Sequence, residues 1–122
     1  MPKDYVKVIK IEESNMLSVC FYIESDNVMA IGDKMNALNE CAYMNGYNWE
    51  AFLNYYLSKN NSALLEGLNC DPEAGMYAAN YALTESNEKK AGQFAKIIED
   101  LVENEDKIYQ VVKEFGEEIE WD

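Results

Sequence analysis

Residues 75–101 read GMYAANYALTESNEKKAGQFAKIIEDL, and the spacing of the large apolar side chains changes inside this stretch. Up to Leu83 the larger side chains, Tyr77 and Tyr81 among them, occur at every second position, which is the period of a β-strand with one buried face. From Glu88 the apolar residues recur every three or four positions, which is the period of an amphipathic helix. The stretch therefore predicts a strand followed by a helix.

A β-hairpin is predicted near the N-terminus. Residues 5–11 and 16–24 both alternate between apolar side chains and polar or small ones, and the short polar segment at residues 12–15 joins them. Such a short connection makes the two strands antiparallel. The apolar run at residues 28–31 predicts a brief third strand.

Two helices are predicted next. The first has Asp33 as its N-cap and ends at Asn45 and Gly46, because glycine tolerates positive φ. The second has Asn48 as its N-cap and buries a stripe spaced i, i+3, i+4, i+7 and i+8. That stripe comprises Trp49, Phe52, Leu53, Tyr56 and Leu57.

The last third of the chain is predicted to be mostly helical. Residues 88–115 keep one apolar stripe that Glu105 interrupts, so the pattern fits either one long helix or two helices that meet near Asn104. Gly116 ends the helical pattern. Residues 118–122 alternate again, which favours a C-terminal edge strand.

Together these elements predict one α+β domain over residues 1–122. Its small antiparallel sheet would hold the N-terminal hairpin, a central strand near residues 75–83 and the C-terminal edge strand, with helices packed on one face. Residues 71–75 (DPEAG) predict either a tight turn or one helical turn before the central strand. The expected core is the apolar stripes of the most periodic helices: Trp49, Phe52, Leu53, Leu57, Phe94, Ile98, Leu101 and Ile108.

The composition argues against most enzymes and against nucleic-acid or lipid binding. The 122 residues include 23 acidic and 10 basic side chains, a formal net charge of -13, and every basic residue is a lysine. The chain therefore has no histidine to act as a general base or metal ligand, and no arginine to clamp a phosphate. Nucleic acids and anionic membranes require clustered positive charge. We expect a protein-binding module with a basic partner and with no catalysis, cofactor or metal.

The cysteines and the apolar segments indicate a cytoplasmic protein. Cys20, Cys41 and Cys70 are odd in number and form no C-x-x-C motif, which argues against disulfides and zinc and predicts three reduced, buried thiols. The N-terminus does not resemble a signal peptide. No apolar run approaches the roughly 20 residues of a membrane-spanning helix.

Negative charge is concentrated at residues 99–122, where ten acidic residues and two lysines give a net charge of -8. One interpretation is a solvated helix face with an acidic tail that maintains solubility. The other is a docking surface that steers a cationic partner toward the protein. On the second interpretation the partner-binding carboxylates are Glu99, Asp100, Glu103, Glu114, Glu117, Glu118 and Glu120.

Two tyrosines are candidate anchors for a partner. Tyr47 lies in a turn-like segment that either exposes it or serves only as a connection between helices. Tyr55 lies off the buried stripe of its own helix, which favours its exposure. Tyrosine is enriched among the residues that dominate the energy of protein interfaces.

Three stretches resemble immunity protein family 51 of bacterial polymorphic toxin systems. They are residues 45–53 (NGYNWEAFL), 71–77 (DPEAGMY) and 118–122 (EIEWD), in this order along the last three quarters of the chain. The resemblance implies an α+β protein, encoded beside a toxin gene, that binds and neutralises that toxin in the producing cell. It implies no catalytic residues.

Two other functions compete with this one. The first is an acidic adaptor or regulatory subunit that binds a basic protein other than a toxin. The second is a small hydrolase that uses Asp71 and Glu73 as acid and base, although these carboxylates also suit a turn and the start of a helix. A toxin-like gene immediately upstream would favour the immunity function.

Overall fold

The computed structural model describes residues 5–122, which form four strands and four α-helices. The strands are β1 (Val6–Ile11), β2 (Met16–Phe21), β3 (Asn69–Cys70) and β4 (Tyr77–Ala82). The helices are α1 (Asp26–Leu38), α2 (Gly46–Asn60), α3 (Glu85–Glu103) and α4 (Glu105–Phe115). The predicted α+β class is confirmed.

The sheet is antiparallel, with the strand order β1-β2-β4-β3. Strands β1 and β2 are the predicted hairpin, and they pair from Val6 opposite Phe21 to Ile11 opposite Met16. Asn15 closes their connection with a φ of 49°, a left-handed conformation that asparagine adopts more readily than most residues. Strand β4 pairs with β2 on one side and β3 on the other, so the strand predicted near residues 75–83 is a central one.

One face of the sheet carries the hydrophobic core. The buried side chains on this face of the two central strands are Leu17, Val19 and Phe21 of β2 and Tyr77, Ala79 and Tyr81 of β4. Trp49 of α2 meets Phe21 edge-on, with ring centroids 5.0 Å apart. Phe94 of α3 meets Tyr77 at 6.1 Å. All eight residues predicted to form the core are buried, whereas Tyr56, the remaining member of the α2 stripe, is only partly buried.

Helix α1 begins earlier than the sequence suggested. Residues 28–31 form no strand, because they lie in the first turns of this helix, which starts at Asp26 rather than at Asp33. Val28, Ile31 and Met35 recur with the helical period and are buried together. A four-residue apolar run fits a strand or a helix equally well, and the packing of this buried face decides between them.

The end of α1 also differs from the prediction. The helix stops at Leu38, so the segment up to Asn45 is not helical. Asn39 has extended backbone, and its side-chain oxygen accepts a hydrogen bond from the Cys41 N–H at 2.9 Å. Such local bonds let asparagine compete with the helical pattern, which explains the early stop.

The C-terminal helical pattern forms two helices that meet at Asn104. The Asn104 side chain donates hydrogen bonds to the backbone oxygen and the carboxylate of Asp100, at 2.9 and 3.0 Å, and α4 begins at the next residue. Gly116 ends α4, as predicted.

The predicted C-terminal edge strand is wrong. Residues 116–122, the tail, belong to none of the four strands, and the edges of the sheet are β1 and the two-residue β3. Ile119 of the tail is buried, but its backbone pairs with no strand in the described part of the chain. Alternation over five residues is too short to distinguish a strand from an irregular segment that packs against helices.

The three cysteines are free thiols in different surroundings. Cys20 is buried and Cys70 is partly buried, but Cys41 is exposed, so the prediction of three buried thiols is wrong for Cys41. The early end of α1 explains the difference, because Cys41 lies in the following loop instead of on a packed helix face. Within residues 5–122, no helix combines the length and the apolar character needed to cross a bilayer.

Candidate functional site

Helix α2 exposes a polar and aromatic side opposite its buried stripe. This side carries Tyr47, Ala51, Asn54, Tyr55 and Ser58, whose spacing brings them onto one face of a helix. Tyr47 is 43% exposed and Tyr55 is partly exposed. The two predicted anchors therefore lie on the same side of one helix, about two turns apart.

The N-terminus of α2 is held by two asparagines with different roles. The N-cap is Asn45, whose side-chain oxygen accepts a hydrogen bond from the Asn48 N–H at 2.9 Å. Asn48, the predicted cap, lies inside the helix and is only 3% exposed. Its amide donates to the Tyr43 carbonyl at 2.7 Å, so its side chain is engaged by the preceding loop and does not cap the helix.

The same Asn48 side chain also fixes the tail. Its oxygen accepts a hydrogen bond from the Asp122 N–H at 2.6 Å. Trp121 donates its indole N–H to the Gly116 carbonyl at 2.9 Å, which folds the tail back on itself. The tail is thereby held beside the first turns of α2.

A cleft of about 600 Å³ lies between α2 and the tail. Its walls are formed by Tyr47, Glu50, Ala51, Asn54, Tyr55, Ser58, Lys59, Glu118, Glu120, Trp121 and Asp122. A second cleft of about 500 Å³ lies between α2 and α4. Tyr55, Lys59 and Glu118 line both clefts, so we treat the two as one surface, the α2 groove.

The α2 groove is strongly acidic. Its carboxylates are Glu50, Glu114, Glu118, Glu120 and Asp122. Its lysines are Lys59 and Lys107, and Lys107 is paired with Asp100 at 2.7 Å. Carboxylates gathered along a concave surface focus the negative potential there, which favours the approach of a cationic group.

The electrostatics of Tyr55 reflect this surrounding. Partial desolvation raises the pKa of its hydroxyl above the usual value, and the neighbouring Glu118 carboxylate acts in the same direction. Tyr55 therefore remains a neutral phenol and does not add to the negative charge of the groove. Its ring packs against Phe115 of α4, with centroids 6.1 Å apart.

The structure brings together five of the nine predicted partner-binding residues. Tyr47, Tyr55, Glu114, Glu118 and Glu120 all line the α2 groove.

The other four predicted residues lie outside the walls of the α2 groove. Glu99 and Glu103 lie near Tyr5, where burial and these two charges raise the tyrosine pKa to about 12. Asp100 pairs with Lys107 at the border of the groove. Glu117 lines a separate cleft beside Cys41.

Sequence reasoning missed several groove residues. Helical spacing could have found Glu50 and Lys59, which lie three residues after Tyr47 and four after Tyr55. No local signal predicts that Trp121 and Asp122 line the groove. Their alternating pattern suggests a strand of the sheet, whereas the tail packs against α2, which is distant in the sequence.

Asn48 is expected to hold the shape of the groove. Replacing it with alanine leaves the Tyr43 carbonyl and the Asp122 N–H without their partner, so we expect a loss of about 1–3 kcal/mol of stability. Faster hydrogen exchange at Asp122, together with a lower urea midpoint, would show both effects. Asn60→Ala is the matched control, because Asn60 is exposed and bonds only within its own helix. Unchanged exchange at Asp122 in the Asn48 variant would contradict this role.

A metal site finds no support in the side-chain arrangement of residues 5–122. No group of three or more His, Cys, Asp or Glu side chains in this part of the chain is close enough to hold an ion. The groove carboxylates are therefore spread along a surface and do not converge on a single point.

A comparison with protein-family models gives a match to immunity protein 51 over residues 8–117. This chain belongs to the immunity protein 51 family. The match covers both strands of the hairpin and all four helices almost completely. Comparisons with curated proteins and with solved structures found no match.

Family membership supports an immunity role and therefore a protein partner. The matched region includes the α2 and α4 walls of the groove but ends at residue 117. The tail wall, with Glu118, Glu120 and Trp121, lies beyond it. Of the three stretches that carried the resemblance, residues 118–122 therefore fall outside the match.

Proposed function

We propose that this chain neutralises a bacterial toxin domain by binding it through the α2 groove, in the cytoplasm of the producing cell. The observation that carries the proposal is the groove itself, where the two candidate anchors, Tyr47 and Tyr55, share one concave surface of an immunity-family protein with five carboxylates. A toxin surface that is basic, such as a cleft that binds nucleic acid, complements this surface.

The two kinds of side chain have different tasks in this mechanism. The carboxylates raise the rate of encounter, since long-range attraction acts before contact. Individually they add little to the final affinity, because an exposed ion pair is worth only about 0–1 kcal/mol. Tyr47 and Tyr55 hold the complex once they are desolvated, since a buried aromatic anchor contributes more than its neighbours. Inhibition is then by protein–protein contact, and the chain itself catalyses nothing.

Co-expression with the toxin domain encoded directly upstream tests the proposal. We expect the chain to restore growth of cells that produce the toxin and to co-purify with it. Growth rescue without a complex would contradict the binding mechanism, and neither rescue nor complex would contradict the immunity function for that toxin. A stable complex with a basic protein other than a toxin would instead favour an adaptor.

Reversing charge in the groove is expected to slow association. For Glu118→Lys with Glu120→Lys we expect an on-rate about ten-fold lower at low salt. The difference should shrink at high salt, because the Debye length falls from about 10 Å at 0.1 M to about 3 Å at 1 M. Surface-plasmon kinetics at several salt concentrations measures both effects.

The matched control for this experiment is Glu12→Lys with Glu13→Lys. These two exposed carboxylates lie in the turn between β1 and β2, and the double reversal changes the net charge equally. An equal loss of on-rate in the control would mean that total charge matters and the groove does not.

A further inference from the structure

Lys59 has an unusual position among the lysines of the groove. Its ammonium nitrogen lies 5.6 Å from the centroid of the Tyr55 ring, and its side chain lines both clefts. Lys107, the other lysine of the groove, is paired with Asp100 at 2.7 Å. Within residues 5–122 no carboxylate lies at ion-pair distance from Lys59, and its ammonium group contacts the Tyr55 ring instead.

The surroundings of the Tyr55 ring suit a cation. The negative face of an aromatic ring attracts ammonium and guanidinium groups, and the attraction grows as water is excluded. Phe115 packs against the ring at 6.1 Å and fixes its position, and the Glu118 carboxylate lies near the Tyr55 hydroxyl. The ring and the carboxylate together make a seat for a cation, defined here by Tyr55, Phe115 and Glu118.

We propose that this seat receives one arginine side chain of the toxin, and that Lys59 occupies the seat in the free protein until the arginine displaces it. The inference rests on the proposed function and adds to it the chemical group that the groove recognises.

Displacement is favourable for three physical reasons. Lys59 is exposed, so its strongly hydrated ammonium can return to water on a flexible stem with little loss. A guanidinium is more weakly hydrated and stacks on aromatic rings, so an incoming arginine gains more from the seat than Lys59 loses. The five carboxylates of the groove also exceed its two lysines, which leaves net negative charge for an added cation.

The first test compares three variants in binding to the co-encoded toxin. Lys59→Met removes the cation that occupies the seat, so we expect binding about two- to five-fold tighter, the size expected from an exposed cation–π contact. Lys59→Arg keeps a cation that competes for the Tyr55 ring, so we expect no increase in affinity for this variant. Lys96→Met is the matched control, because this exposed lysine of α3 lies outside the groove and its loss changes the net charge equally.

The outcomes separate the inference from the function it rests on. Weaker binding of the Lys59→Met variant would mean that Lys59 itself contacts the toxin and would overturn its proposed role. Equal increases in affinity for Lys59→Met and Lys96→Met would mean that only the total charge of the protein matters. That result would also overturn the proposed role of Lys59. In either case the toxin still binds, so the proposed function survives.

A second test needs no toxin. N-acetyl-arginine amide is titrated into the folded protein while the Tyr55 ring resonances are followed by NMR, with N-acetyl-norleucine amide as the uncharged control. We expect saturable shifts with the arginine probe alone, at lower concentrations for the Lys59→Met variant and at higher ones for Glu118→Gln. If the arginine probe shifts the Tyr55 ring resonances in neither the unaltered protein nor the Lys59→Met variant, the cation seat is overturned even if the toxin binds.

Discussion

Replacing Gly46 with alanine is expected to lower the free energy of unfolding by more than about 3 kcal/mol. A Cβ at this first residue of α2 would overlap the carbonyl oxygens of Glu73 and Met76. Those oxygens belong to a backbone turn in which Glu73 and Met76 bond to each other, so no side-chain rotation relieves the overlap. Gly46 also donates its N–H to the Ala74 carbonyl at 3.2 Å, and that contact would be lost as the turn moves away. Urea denaturation measures the loss.

Gly92→Ala is the matched control for this substitution. Gly92 lies inside α3, where an added Cβ meets nothing within 4 Å. Alanine is the better helix former, so this change should stabilise the protein by about 0.5–1 kcal/mol. If both variants unfold at the same urea concentration as the unaltered protein, the result would contradict the close contact between Gly46 and the turn of Glu73 and Met76.

Truncating Tyr55 to alanine is expected to raise the off-rate from the toxin about 30-fold, which corresponds to a loss of about 2 kcal/mol. The physical reason is that Tyr55 lines both parts of the α2 groove and packs against Phe115, so it is positioned as a rigid anchor. Tyr47→Ala should act in the same direction, since Tyr47 lines the same surface. The on-rate should change little, because a neutral side chain does not steer the encounter.

Tyr43→Ala serves as the control for the anchors. Tyr43 is 72% exposed and lies in the loop before α2, outside the α2 groove. Its truncation should leave both rate constants unchanged. An off-rate that rises as much for Tyr43→Ala as for Tyr55→Ala would show that the contact surface lies elsewhere on the molecule, and thermal melts of all three variants exclude unfolding as the cause.

The hairpin, strand β4 and the buried stripes of α2, α3 and α4 could be predicted from the sequence because each depends on a local period. Alternation over six residues of β1 and β2 places their side chains on two faces, and the 3.6-residue period does the same for α2. Burial of the eight core residues followed from the same patterns. The net negative charge is likewise a property of composition alone.

The candidate site could be predicted only in part. The position of Tyr55 off the buried stripe predicts its exposure, whereas the turn-like segment around Tyr47 fits either an exposed anchor or a simple connection. Glu114, Glu118 and Glu120 lie with both tyrosines in the groove. Glu99, Glu103 and Glu117 belong to the same acidic run but point to other surfaces. Charge density along a chain does not determine which face of a helix or turn each carboxylate occupies. The sequence therefore does not show which acidic residues of this run line the groove and which lie elsewhere.

The sequence by itself determined the α+β class, the core stripes and the negative charge, because these depend on residue type and short-range spacing. Only the tertiary structure decided that residues 28–31 are helical, that Asn48 binds the loop and the tail instead of capping α2, and that the tail forms a wall of the groove. In each case the local pattern fits more than one conformation. The contacts that decide them join residues far apart in the chain, as between Asn48 and Asp122, and local periodicity carries no information about such contacts.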